Sequence, residues 1–253
     1  MLSKLLRRAI LVAVTVLILP SQSLAAWSHV QSAKAGADAA STTIALAYSS
    51  NVTSGSLLWA FVGWYCAAGE TTSSAADSLS QTWTFIGTQE TVTSVGGAWC
   101  GRTARFYNSV AGANTLTITF SASTQYRSLI IHEYSGIATS AALDQEIGQG
   151  QTAPGTGANA ITSGTTGATS AANELVVAGM LSVRGTGPAI SAGTGFTIRQ
   201  NGLGAPTFTS HASEDLNLVS AGTTAGTFTF NSTTEYTIAI VNTFKEPAAS
   251  PGA

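Results

Sequence analysis

TITFSASTQYRSLIIHEY, residues 117–134, and TFTFNSTTEYTIAIVNTF, residues 227–244, decide the fold. Laid one above the other they match without a gap: Thr117 with Thr227, Thr119 with Thr229, Phe120 with Phe230, Thr124 with Thr234, Tyr126 with Tyr236. In both, apolar and hydroxylated residues alternate, which is the period of an extended strand. Earlier pieces recur in the same order. SLLWA from Ser56 resembles ELVVA from Glu174, and TWTFI from Thr82 resembles GFTI from Gly195. A repeat of ~110 residues is far too long for a solenoid unit. It predicts two related halves folded together into one sandwich with approximate two-fold symmetry.

The rest of the chain follows that pattern. SLLWAFVGWY, TWTFIG, GRTARFY, TLTITF, RSLIIHEY, ELVVAGML, GFTIRQ, GTFTF and YTIAIVNTF read as strands bounded by Gly, Ser, Asn or Thr. No apolar stripe at helical spacing occurs after the N-terminal segment. The expected fold is all-β, a jelly-roll-like antiparallel β-sandwich with two pseudo-repeated halves in one domain. That domain is assigned to residues 26–246, with half-repeats at about 50–136 and 170–245. Gly- and Thr-rich residues 148–172 are read as a long surface connection with one or two edge strands, and 247–253 as a disordered tail.

Residues 1–25 read as a secretory signal peptide: Lys4, Arg7 and Arg8, then AILVAVTVLIL, then small residues at Ser23 and Ala25. The apolar run is short of the ~20 residues that span a bilayer. The processed protein is therefore expected to be secreted, periplasmic or extracellular, without membrane insertion. Past residue 25, seven basic residues face twelve acidic ones, a net charge of −5. Scattered Lys and Arg in an acidic chain exclude phosphate-backbone binding, so no nucleic-acid partner is expected. Charged residues are 9% of the chain and apolar ones 44%. Solubility then falls to Ser and Thr, roughly a quarter of the residues against much lower ordinary usage. Cys66 and Cys100 are an even pair in an exported chain, which points to a disulfide.

His132 and Glu133, neighbours inside RSLIIHEY, invite a catalytic reading. Strand geometry opposes it, because successive side chains point to opposite faces. His132 shares a face with Ser128, Ile130 and Tyr134, and Glu133 with Arg127, Leu129 and Ile131, where an ion pair to Arg127 is open to it. The repeat places Asn242 opposite His132 and Thr243 opposite Glu133, so hydrogen bonding is shared between the halves and chemistry is not. Both are read as satisfying backbone groups or water.

Other chemistry leaves little trace. His29, His132 and His211 lack ligand spacing, neither cysteine sits in CxxC, and no GxSxG, GxGxxG or phosphate loop occurs. No catalytic residues, metal ligands or cofactors are assigned. Calcium is the one ion that carboxylates at Asp144 and Glu146, or Glu214 and Asp215, could hold, without EF-hand spacing. All five tryptophans, Trp27, Trp59, Trp64, Trp83 and Trp99, lie in the first half. Trp59, Trp64, Trp83 and Trp99 are the ligand-binding candidates, as platforms for sugar rings, with core packing the alternative.

The motifs SLLWAFVGW, TWTFIG, ARFYNSVAGANTLTITFSAS, LIIHEYSGI, ANELVVAGM and GTGFTIRQ resemble a class of bacterial and phage-associated extracellular jelly-roll-like β-sandwich domains of unknown function. The resemblance implies a module at a cell or virion surface and brings no catalytic residues. The resulting expectation is a non-catalytic binding or structural module at the cell surface or in the extracellular matrix, its partners polysaccharide or other surface proteins. A carbohydrate-binding module using first-half aromatics is the alternative. A glycoside hydrolase or lyase with unrecognised carboxylates is the third reading.

Overall fold

The computed structural model describes residues 27–152, 159–183, 190–203, 209–230 and 236–248. The expected leader and the last five residues of the expected tail lie outside them. Sixteen strands and no helix make up the described chain. The first eight are β1 (Ser28–Ala37), β2 (Ser41–Ala47), β3 (Leu57–Tyr65), β4 (Thr72–Asp77), β5 (Thr84–Ser94), β6 (Gly97–Phe106), β7 (Thr115–Thr124) and β8 (Arg127–Ser135). The second eight are β9 (Leu143–Thr152), β10 (Asn159–Thr162), β11 (Glu174–Val183), β12 (Ile190–Ala192), β13 (Thr197–Leu203), β14 (Thr209–Leu218), β15 (Thr227–Phe230) and β16 (Tyr236–Phe244).

In the first eight, a five-stranded sheet runs β1-β8-β3-β6-β5 and a three-stranded sheet runs β2-β7-β4. In the second eight the orders are β9-β16-β11-β14-β13 and β10-β15-β12. Adding eight to each strand number converts one half into the other. All pairings are antiparallel. The order is that of a jelly roll in which the fifth strand has joined the larger sheet. A remnant of the other arrangement survives, because Thr82, just before β5, still bridges Ala76 of β4.

The kinship holds rung by rung. Leu57 pairs with Tyr134 as Leu175 pairs with Phe244, and the ladders stay in step to Gly63–Ser128 and Leu181–Ile238. On the other side, Leu58–Phe106 corresponds to Val176–Leu216, in step to Tyr65–Trp99 and Val183–Thr209. Tyr126 and Tyr236 both pack, partly buried, against the same apolar cluster.

The expected single sandwich is corrected in one respect. Each half forms both sheets of a sandwich by itself, and the two five-stranded sheets then pack face to face. Three cores result. One lies between the first half's sheets, around Leu58, Val62, Trp64, Leu116 and Ile118. Another lies between the second half's sheets, around Val176, Met180, Phe228 and Val241. The third, the seam, joins Leu57, Trp59 and Phe61 to Val177, Leu181 and Ile240. The physical reason is visible in β3 and β11, buried along nearly their whole length. A strand apolar on both faces must be covered on both faces. Period two describes a strand with one wet face, and these strands have none.

Residues 148–172, expected to carry one or two edge strands, contain the end of β9 and all of β10, both at sheet edges and both part of the second half's sheets. Two of their glycines have a packing cause. A Cβ on Gly150 would stand 2.3 Å from the Thr91 carbonyl oxygen, and one on Gly148 2.7 Å from Glu90. β9 approaches β5 so closely that only glycine fits there.

Candidate functional site

The seam holds the densest polar chemistry. On its face of β8, His132 Nε2 lies 2.8 Å from Ser213 Oγ of β14. Two residues on, Tyr134 donates its hydroxyl to Asp215 at 3.1 Å and lies 3.4 Å from His132 Nδ1. Asp215 is paired at 2.7 Å with Arg199. Beside them Trp59 donates its indole N–H to Asn242 at 2.8 Å. With the Tyr134 proton given to Asp215, His132 Nδ1–H donates to the tyrosine oxygen, and Nε2 accepts from Ser213. A chain therefore runs from hydroxyl through imidazole and phenol to a paired carboxylate.

Ser213 and His132 have nucleophile-to-base spacing. They do not have access: both are 0% exposed. Burial, followed by His29 and Arg199, holds His132 well below the ordinary imidazole range. It is a neutral group that orders the seam. Sequence reasoning set His132 and Glu133 on opposite faces, and they are. It missed Ser213, and placed Asp215 in a loop as a possible calcium ligand rather than in the seam, because SHASEDLNL is too polar to read as a buried strand.

Glu133 faces the first half's core. It accepts from Thr53 N at 2.7 Å, Ser56 Oγ at 2.9 Å and Gln31 Nε2 at 2.6 Å, tying the β2–β3 loop to β1 and β8. The ion pair with Arg127 does not form. Arg127 instead donates to the carbonyls of Thr43 and Ala39. The other acidic positions are also occupied. Glu214 accepts from Gly193 N and Thr227 N, Asp144 from Ser170 with Lys245 3.6 Å away. Among the described residues no three His, Cys, Asp or Glu side chains converge as a metal site.

The tryptophan candidates separate. Trp59, Trp64, Trp83 and Trp99 are 0%, 0%, 4% and 3% exposed, so none is the open platform expected. Trp59 belongs to the seam, Trp64 and Trp83 to the first half's core. They are buried because both faces of the inner sheet are covered. Trp99 alone of the four lines a cleft. This cleft, about 280 Å³, lies at the Tyr65 end of β3 and is lined by Tyr65, Ser94, Gly96, Trp99, Gln125, Tyr126 and Val183.

Local folding explains the cleft. The two-residue link Gln125–Tyr126 crosses from the outer sheet to the inner one, with Tyr126 in the left-handed region at φ 52°. That turn swings the Tyr126 ring against Trp99, with centroids 5.8 Å apart, and Tyr65, 6.1 Å apart. Tyr65 and Trp99 meet edge to face at 5.2 Å. The Tyr65 hydroxyl donates to Gly96 O at 2.7 Å, and the Trp99 indole donates to Ser94 Oγ at 3.2 Å. Next to this corner Cys66 and Cys100 form the disulfide, with Cα atoms 5.9 Å apart. The disulfide is compatible with a compartment outside the cytoplasm, and among the described residues no helix is long and apolar enough to cross a membrane.

Comparison with known protein families, curated proteins and solved structures finds no match to this chain.

Proposed function

We propose that the protein is a secreted, non-catalytic binding module of the cell surface or extracellular matrix, receiving its ligand in the Tyr65–Trp99–Tyr126 cleft. The observation that carries this reading is the contrast between the molecule's two polar–aromatic sites. The Ser213–His132 chain is sealed inside the seam. The cleft opens to solvent, with Gln125 and Gly96 exposed on its rim. Its described lining offers aromatic faces, a hydroxyl, an amide and backbone, and no carboxylate, histidine or cation. Such a lining suits holding a ligand, and its described residues lack the carboxylate pair that a glycoside hydrolase uses.

The leader and the disulfide support an address outside the cytoplasm. The layered architecture supports rigidity, since a cleft built on strand ends of a covered sheet is held in place without a ligand.

The test is an NMR screen of the processed protein against a mixed library of neutral and charged small compounds. Hits should shift the side-chain resonances of Tyr65, Trp99 and Tyr126. Hits that map to other surfaces, or turnover of a library member, would contradict the reading.

A further inference from the structure

Resting on the reading of the cleft as the binding site, we infer that its ligand is a neutral saccharide, engaged through one ring at a chain end or branch tip. Three properties select that class. The first is charge. None of the seven described lining residues is charged, so a phosphate, carboxylate or ammonium would find no counter-ion among them to offset its lost hydration. The second is surface chemistry. The partly exposed rings of Tyr65 and Tyr126, set edge to face beside the buried Trp99, form the cleft's aromatic wall, against which the C–H face of a pyranose can rest. The polar groups sit around that wall and not behind it: Ser94 Oγ, the Gly96 backbone, the Tyr65 hydroxyl and the exposed Gln125 amide. A sugar ring, apolar on its face and wet at its edge, meets both. The third is size. A cleft of about 280 Å³ takes a single ring and its substituents, and a longer glycan must continue into solvent.

The second half sharpens the assignment. Positions equivalent to Tyr65 and Trp99 are Val183 and Thr209, so among the described residues the pairing of Tyr65 with Trp99 has no aromatic counterpart in the second half.

The experiment is an NMR titration of the processed protein with neutral glucose, galactose and N-acetylglucosamine, with glucuronate and glucosamine as charged counterparts and indole as a non-sugar ring. At least one neutral sugar is expected to shift the Trp99 indole and Tyr126 ring signals with a roughly millimolar dissociation constant. Glucuronate and glucosamine should bind more weakly. Tyr126→Asn removes the ring while keeping a residue suited to the left-handed backbone, and should weaken binding roughly tenfold in a protein that stays folded, though less stable for the lost packing. Trp59→Phe, away from the cleft, should leave affinity unchanged. Indole shifting the cleft signals while no neutral sugar does would overturn the saccharide assignment and keep the cleft as a binding site. Shifts from neither would overturn both.

Discussion

Two strands in the middle of the molecule, β3 and β11, occupy the same position in the same sheet order, yet where they meet they have become opposites. Counted along the equivalent ladders, Phe61 corresponds to Gly179 and Gly63 to Leu181. These are also the residues in contact. A Cβ on Gly179 would lie 2.6 Å from the Phe61 ring, and one on Gly63 3.1 Å from Leu181. Equivalent positions touch each other only on a two-fold axis, so a pseudo-axis runs between β3 and β11. The flanking contacts agree, with β1 against β13 and β5 against β9. Two copies of the first half would set Phe on Phe at this spacing, and two copies of the second would set Leu on Leu. A large residue in one half and glycine in the other solves that packing problem. The lesson is that the halves share a backbone and have specialised side chains, and each fits the other better than it fits a copy of itself.

The strongest way to break the comparison is to restore the symmetry. Gly179→Phe places two rings in the space of one. Overpacking by even a few methylenes costs about 1–3 kcal/mol, and a whole ring exceeds that, so the variant is expected not to reach a stable fold. Phe61→Gly combined with Gly179→Phe moves the ring across the axis and should recover most of the lost stability. Urea unfolding of the two variants beside wild type decides it.

The disulfide separates the halves next. Cys100 has Ser210 as its counterpart, so only the first half is bridged. Closing the loop between Cys66 and Cys100, separated by 34 in sequence, stabilises by about 4 kcal/mol in the chain-entropy model. Reduction should lower the denaturation midpoint by the corresponding amount, and Cys66→Ala/Cys100→Ala should be indifferent to reductant.

Acid tests the seam from another side. His132 lies opposite Ser213 and near His29, Arg199 and Tyr134, and His211 lies near Lys34. Burial holds both imidazoles neutral, His211 down to about 3. With folded values below the unfolded 6.5, the stability tied to them is complete above pH 6.5 and is lost as pH falls. His211 contributes about 2 kcal/mol of loss between pH 7 and pH 5, and His132 adds loss in the same direction. Glu214 works in the other direction. Its carboxyl is raised to about 7 by burial, against an ordinary 4.5, so its contribution is complete below pH 4.5 and is lost as pH rises through 7. The net slope is set by this opposition, to which His29 adds on the histidine side and Glu90 and Glu174 on the carboxyl side. His132→Asn, which copies the second half's Asn242, should shift the balance toward stability at pH 5 relative to wild type, read from denaturation at pH 7 and pH 5.

The smallest expected effect is at the Trp59–Asn242 bond across the seam. Trp59→Phe keeps most of the ring and leaves the buried Asn242 oxygen without its donor, costing about 1–2 kcal/mol in chemical denaturation.

Much of this was legible in the residues themselves. The gapless match of 117–134 with 227–244 revealed the repeat, and strands with β-branched and aromatic residues, such as β3, β8, β11 and β16, stood out. The strands that escaped are of two kinds. β1, β2 and β4 are edge strands rich in Ser, Thr and Ala, and β9 is an edge strand rich in Gln and Gly, so none carries a hydrophobic signature. β14 is polar and still buried, because Ser213 and Asp215 find partners on the other half's β8. Such pairing exists only after the halves dock, and no local pattern encodes it. The four-layer arrangement did leave a trace in SLLWAFVGW and ELVVAGM, whose unbroken apolar runs require cover on both faces. The cleft left less. Trp99 was on the candidate list, while Tyr65 and Tyr126 join it only through a turn between sheets.

The account rests on the two inner sheets meeting along β3 and β11. Nuclear Overhauser contacts in the processed protein measure this directly. The Phe61 ring protons should show cross-peaks to the Gly179 α-protons, and the Leu181 methyls to those of Gly63. Absence of both sets, in a sample whose β3–β8 and β11–β16 ladder contacts are intact, would mean that the two halves fold as described and do not pack as described.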